Sequence, residues 1–214
     1  MTDHAAYPGP NLGPEHGPIA ERSAPPIFGF WVFLMSDLVL FGLLIATYLT
    51  TLNAHSMAGG PSAGDLADLR SVAAQTVLLL GSSYAHARAS LSLRAKDSLG
   101  WVAGWMALAM LLAGGFLFLE GRDLLAMVDR GAGPQRSGHL TAYVTLILAH
   151  GLHVTVGLLW MTAWLAQAWA HGAADTLKTR HLQIGLYWHM LDVVWIGIVS
   201  LVILPGVVLA GTGG

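Results

Sequence analysis

The sequence predicts an all-α integral membrane protein, a helical bundle with five transmembrane helices. Charge is scarce: of 214 residues, 10% are charged and 55% are hydrophobic, whereas a soluble domain has about 25% charged residues. Mean hydropathy is +0.61. The third observation is a pattern. Five apolar stretches each approach or exceed the roughly 20 residues needed to cross a hydrocarbon core about 30 Å thick.

Residues 1–26 come first. They contain Pro8, Pro10, Pro14, Pro18, Pro25 and Pro26, and read as a disordered or extended Pro/Gly-rich tail. Residues 27–214 then form the five-helix transmembrane domain. Its spans are Ile27–Leu52, Leu69–Leu93, Leu99–Leu119, Leu140–Trp169 and Leu182–Leu209. Helix is the open-chain geometry that satisfies backbone groups in lipid, so each is read as a helix. The links are 53–68, 94–98, 120–139 and 170–181, and two of them hold turn residues, Gly59-Gly60-Pro61 and Gly131–Pro134.

Composition also excludes. The net charge of −2 suggests no polyanion, so no nucleic acid is expected as a partner. The lack of cysteine excludes disulfides, thiolate metal sites and cysteine nucleophiles. The polar N-terminal stretch is no cleavable signal peptide, so insertion is expected through the first span.

Loop charges set the expected orientation. With the N-terminus in the cytoplasm, the inside carries Arg22, Arg88, Arg94, Lys96, Lys178 and Arg180, and the outside carries Arg70, Arg122, Arg130 and Arg136. Trp31, Trp101, Trp164, Trp169 and Trp188 then lie toward the inner interface, and Tyr48 and Tyr143 toward the outer one. Such belts suit amphipathic rings. Five spans put the C-terminus on the periplasmic side. Gly100 and Gly104, continued by Ala109 and Ala113, have the small-residue spacing that lets helices approach closely.

Charge inside a membrane needs a reason. Asp37 lies near the middle of the first span, as either a proton-handling carboxylate or a structural hydrogen-bonding group. His150 and His153 share a stripe of the fourth span, and His189 and Asp192 a stripe of the fifth. On the second span Gln75, Ser82 and His86 share a face. These stripes face one another or a partner. The histidines fit either a metal or haem site or a hydrogen-bonded bundle. Glu120, Arg122 and Asp123 form an interfacial charge cluster after the third span.

Four segments carry a family resemblance. Tyr187-Trp188-His189-Met190-Leu191-Asp192-Val193-Val194-Trp195 resembles the YWHFxDVVW signature of subunit III of the haem-copper respiratory oxidases. His150-Gly151-Leu152-His153-Val154-Thr155-Val156-Gly157 resembles its HGLHVxxG signature. Phe28-Gly29-Phe30-Trp31-Val32-Phe33-Leu34-Met35-Ser36-Asp37 is similar to the FGFWxxLMSD opening of the ubiquinol oxidase branch, and Gly133-Pro134-Gln135-Arg136-Ser137-Gly138 is a fourth match. The chain begins at what would be the third helix of the longer mitochondrial form, as the bacterial bo-type ubiquinol oxidase form does. The family's intramembrane acid is Glu in cytochrome c oxidases, and here it is Asp37.

The resemblance implies an accessory, non-redox subunit of a proton-pumping terminal oxidase in the bacterial inner membrane. Its electron donor would be ubiquinol, and its role would be to stabilise the complex and support proton uptake. An aa3-type quinol oxidase or a cytochrome c oxidase is the alternative within the family. Subunit I would be the main partner, with subunit II, a small subunit IV and membrane lipids. This chain would have no catalytic residues and no metal, since haems, copper and quinone belong to partner subunits. A phospholipid is the remaining candidate ligand. Two readings from other classes compete: a small di-haem cytochrome using His86, His150, His153 or His189, and a proton-coupled carrier working through Asp37.

Overall fold

The computed structural model describes residues 17–57, 67–95, 98–171 and 175–207. Six α-helices account for most of them: α1 Gly17–Thr50, α2 Ala54–Met57, α3 Leu69–Arg94, α4 Leu99–Asp129, α5 Gly138–His171 and α6 Asp175–Ile198. There is no strand among the described residues. The all-α expectation therefore holds.

Four stretches are long and apolar enough to cross a membrane: Ile27–Thr50, Leu99–Asp129, Gly138–Ala170 and Leu177–Val207. The remaining expected span, Leu69–Leu93, is helical in α3 but falls short of the others in hydropathy. Its sequence explains why, because α3 turns Ser71, Gln75, Ser82, Ser83, His86 and Ser92 into the protein interior.

Several boundaries move. Of the expected 1–26 tail, residues 1–16 lie outside the described residues, whereas 17–26 belong to α1. Pro18 falls in the first turn, where a missing N–H leaves no bond unmade. The third span ends at Asp129 instead of Leu119, because Leu124, Leu125, Met127 and Val128 continue the apolar sequence past the charges. In the links, 58–66 (with Gly59-Gly60-Pro61), 96–97 and 172–174 lie outside the described residues, as do residues 208–214.

Helix ends follow local chemistry. Asp68 caps α3 by accepting the Arg70 N–H at 3.0 Å. Ser137 caps α5 by accepting the Leu140 N–H at 3.2 Å. After α4, Gly131 takes a φ of 74°. That left-handed turn lets the Gly131 and Ala132 N–H groups reach the Val128 and Met127 carbonyls at 2.9 and 3.1 Å, closing a Schellman motif. At the far end α6 widens into a π-turn over Val199–Ile203, where the Leu204 N–H bonds the Val199 carbonyl. Pro205 follows at once; it has no N–H, and its ring would clash with the carbonyl four residues back in a regular helix.

The bundle is up-and-down. α1 and α5 run antiparallel, with Tyr48 against Tyr143 toward one end, Asp37 against His153 in the middle and Phe30 against Trp160 toward the other. α3 and α6 are likewise antiparallel, tied at Thr76/Trp195, Ser83/Asp192 and Ser90/His181. α1 contributes Leu34, Phe41 and Tyr48 to the core, one residue every seven. Its other faces expose Phe28, Val39 and Leu43, as suits a helix against lipid. α6 is the most enclosed, with Ile184, Trp188, Leu191 and Ile198 fully buried, as is Val202 in the π-turn that follows.

The small-residue stripe divides. Ala109 and Ala113 are fully buried, but Gly100 and Gly104 are exposed with open space where a side chain would go. The close approach of helices comes instead at Gly157, where an added Cβ would lie 2.6 Å from the Trp188 ring.

Candidate functional site

The polar stripes do face one another, in separate pairs rather than in one pocket. In the middle of the bundle Asp37 on α1 meets His153 on α5, with Oδ2 and Nε2 3.8 Å apart. His153 Nδ1 donates to the Ala149 carbonyl at 2.7 Å, which turns Nε2 toward the acid. The Phe41 ring stands edge-on to His153 at 5.0 Å. Tyr187 of α6 donates to the His153 carbonyl at 2.9 Å. These contacts join the first helix to the fourth and fifth of the expected spans.

His150 lies one turn before His153 but in different surroundings. It is fully buried, stacked on Trp195 at 5.4 Å and 26°. Phe116 and Phe41 stand edge-on to it at 5.7 and 6.2 Å. Neither ring nitrogen has a hydrogen-bond partner.

His86 stacks on His181 at 4.5 Å with the planes 15° apart. Parallel rings at this distance leave no space for an iron between them, which does not fit a bis-histidine haem. His181 Nε2 lies 2.8 Å from the Ser90 hydroxyl, and Gly185 makes room, since a Cβ there would be 3.1 Å from His86 Cε1. The expected boundary at Leu182 left His181 in a link. Helix α6 starts earlier, and Lys178, Arg180 and His181 lower the local hydropathy that would have revealed it.

His189 and Asp192 are paired at 3.5 Å, with the His189 side chain largely exposed and that of Asp192 largely buried. Asp192 also accepts a bond from Ser83 of α3 at 2.5 Å. One turn earlier, Trp188 Nε1 donates to Ser82 Oγ at 2.8 Å. Adjacent serines of α3 thus bind two residues of the α6 signature. Ser82 was legible on the polar face it shares with Gln75 and His86, whereas Ser83 carried no sequence signal beyond sharing a helix with other small polar groups.

The three charges near the end of α4 separate. Arg122 forks onto Asp123 Oδ1 at 2.7 and 3.0 Å and donates to Ser71 Oγ at 3.0 Å. Asp123 Oδ2 accepts from Gln75 at 2.8 Å and from Ser71. Glu120 takes no part: it is 8% exposed and lies against Gly151 of α5, where a Cβ would be 3.0 Å from Glu120 Oε2. Among the described residues no group of three or more His, Cys, Asp or Glu could hold a metal ion.

The arrangement is a set of helix-to-helix ties distributed through the bundle, with single acids and imidazoles at several depths. No family model matches the chain. Curated relatives match it nearly end to end. The cytochrome bo(3) ubiquinol oxidase subunit 3 of Pseudomonas aeruginosa is 38% identical over 195 residues, 91% of this chain and 92% of the relative. The quinol oxidase subunit 3 of Bacillus subtilis is 34% identical over 212 residues, 99% of each chain. The cytochrome c oxidase subunit 3 of a Bacillus species is 36% identical over 180 residues, 84% of this chain and 86% of the relative. With its long apolar helices, the protein is a multi-pass membrane subunit of a multi-subunit respiratory oxidase. The chain belongs to the oxidase subunit III family of the quinol and cytochrome c oxidases.

Proposed function

We propose that the chain is the accessory, non-redox subunit III of a proton-pumping ubiquinol oxidase in the bacterial inner membrane. It packs chiefly against subunit I, with subunit II and a small subunit IV completing the complex. The haems, copper and quinone reside in those partners. The observation that carries the reading is how the interior polar groups are used. Asp192, Ser82, Ser83, Trp195 and Thr76 bond across helices, the buried His150 ring lies among Trp195, Phe116 and Phe41, and the buried His86 ring stacks on His181. Such groups hold a bundle in one packing and do not converge on a reacting centre. Asp37, facing His153, is the group suited to supporting proton uptake.

Ubiquinol as donor is supported by the relatives named as bo(3) ubiquinol oxidase subunits. The alternative, a cytochrome c oxidase, is supported by the similar cytochrome c oxidase subunit 3. The test is turnover of the purified complex with ubiquinol-1 and with reduced cytochrome c, together with the copper content of subunit II. Oxidation of quinol with no subunit II copper is expected. Oxidation of cytochrome c through a copper-bearing subunit II would move the chain to the other branch.

The reading includes five crossings, with α3 as the second. α3 has 26 residues, about 39 Å of helix, and it runs antiparallel to α4 and α6 along its length. Ser71, Gln75, Ser82, Ser83, His86 and Ser92 are buried, where other helices shield them from lipid. The N-terminus is then cytoplasmic and the C-terminus periplasmic. Alkaline phosphatase fused after residue 214 should be active, and green fluorescent protein fused there should be dark. The reverse pair of results would overturn the crossing count or the orientation.

A further inference from the structure

Glu120 is a buried carboxylate with no hydrogen-bond or ion-pair partner among the described residues. It is 8% exposed, and its Oε1 is enclosed without a hydrogen bond. The cation nearest in sequence, Arg122, is committed to Asp123 and Ser71. Glu120 lies at the base of a groove between α4 and α5, about 450 Å³ in volume and bordered by Leu117, Gly121, Leu148, Gly151, Leu152 and Thr155. The groove opens outward, because Leu148 and Leu152 are 54% and 63% exposed. Gly151 admits the carboxyl group, and Gly121 has open space beside it.

Depth decides what fills the groove. Nine residues of α4 follow Glu120, ending at Asp129, and they place it about 13 Å from that end of the helix. Leu124, Leu125, Met127 and Val128 lie along that stretch, together with the Arg122–Asp123 pair, which is tied to Ser71 and Gln75 of α3. An acyl chain has no donor to offer. A side chain carried on a helix can bring a donor there. The two glycines at the groove are the residue type that lets a helix approach closely in a membrane. A lone acid in such surroundings costs free energy until it is paired.

We infer that this groove seats a transmembrane helix of another oxidase subunit, which presents a lysine, arginine or amide donor to Glu120. The inference rests on the oxidase-subunit reading above. The cysteine-free sequence gives a direct test in the assembled complex. Leu152→Cys, labelled with a maleimide-benzophenone and irradiated, should cross-link to one other subunit, at a peptide holding such a donor within about one helical turn. Val39→Cys on the exposed side of α1 serves as the comparison site. In parallel, Glu120→Leu should lower the share of chain retained on the complex in detergent at least about tenfold, and Glu120→Gln should retain most of it, because an amide still accepts a hydrogen bond.

Both results are required. Cross-links from Leu152→Cys to lipid alone would assign the groove to the bilayer and overturn the contact. Wild-type retention of Glu120→Leu would overturn it as well. If the wild-type chain co-purifies with no haem-bearing partner, the proposed function fails together with this contact. If it does co-purify, a negative result in either arm removes this contact only.

Discussion

Replacing Gly157 by alanine should remove most of the chain from the assembled oxidase. The new Cβ would lie 2.6 Å from Trp188 Cζ3 and 3.1 Å from Tyr187 Cε1. Neither ring is free to retreat. Trp188 is fully buried and its indole N–H is held by Ser82, while the Tyr187 hydroxyl is held by the His153 carbonyl. Overpacking of this kind costs about 1–3 kcal/mol, and a lost hydrogen bond adds about 1 kcal/mol. Alanine regains about 1 kcal/mol of helix propensity. The net is about 2 kcal/mol, or roughly a 30-fold shift in the folding or docking equilibrium. Gly100→Ala is the control, since its Cβ meets nothing within 4 Å, and it should match wild type. The measurement is the amount of subunit III per haem after purification of each variant. Equal retention of Gly157→Ala and Gly100→Ala would contradict the packing described.

Asp192→Leu is the second large effect. Asp192 accepts the Ser83 hydroxyl across the α3–α6 interface and sits beside His189. Leucine leaves the buried Ser83 hydroxyl without that acceptor, at about 1–3 kcal/mol. Asp192→Asn keeps an acceptor for Ser83 and should come close to wild type. Assembly yield should therefore fall for the leucine variant and hold for the asparagine one. In either case the haem absorption spectrum, per complex formed, should stay unchanged. A shifted spectrum would place this pair within the redox site and remove the accessory reading.

These variants show what the sequence made legible and what it did not. Hydropathy located the long apolar helices because each carries an uninterrupted lipid-facing surface. It located α3 less well, because Ser71, Gln75, Ser82, Ser83 and His86 give that helix a polar inner face. The expectation that polar stripes face one another holds for α3 with α6, while Asp37, read as a lone acid, meets His153 of the fourth-span stripe. Which residues pair was not legible, since register between helices is set by packing and not by spacing along one of them. The expected approach at Gly100 and Gly104 fails because neither glycine reaches a neighbour, whereas Gly157 is pressed against two rings of α6. Glu120, Arg122 and Asp123 lie within four residues of sequence, which suggested one cluster. About the helix axis, however, Glu120 and Arg122 stand about 160° apart, so Arg122 turns to α3 and Glu120 to α5. The family motifs were legible outright, because YWHMLDVVW and HGLHVTVG hold the residues that make the interhelical ties.

The central claim is that this chain supports the oxidase without performing its chemistry, and Asp37 is where that claim is most exposed. It is the acid nearest the middle of its span, and it faces an imidazole capable of carrying a proton. Asparagine keeps its shape and a capacity to hydrogen-bond but does not carry a transferable proton. The deciding measurement is the initial rate of quinol-dependent oxygen reduction by the purified Asp37→Asn complex, normalised to haem. The account predicts a rate within about twofold of wild type, less than about 0.5 kcal/mol of barrier, with loss confined to proton uptake or to stability during prolonged turnover. A fall of about a hundredfold with assembly intact, equivalent to about 2.7 kcal/mol, would put Asp37 on an obligatory catalytic proton path and contradict the account.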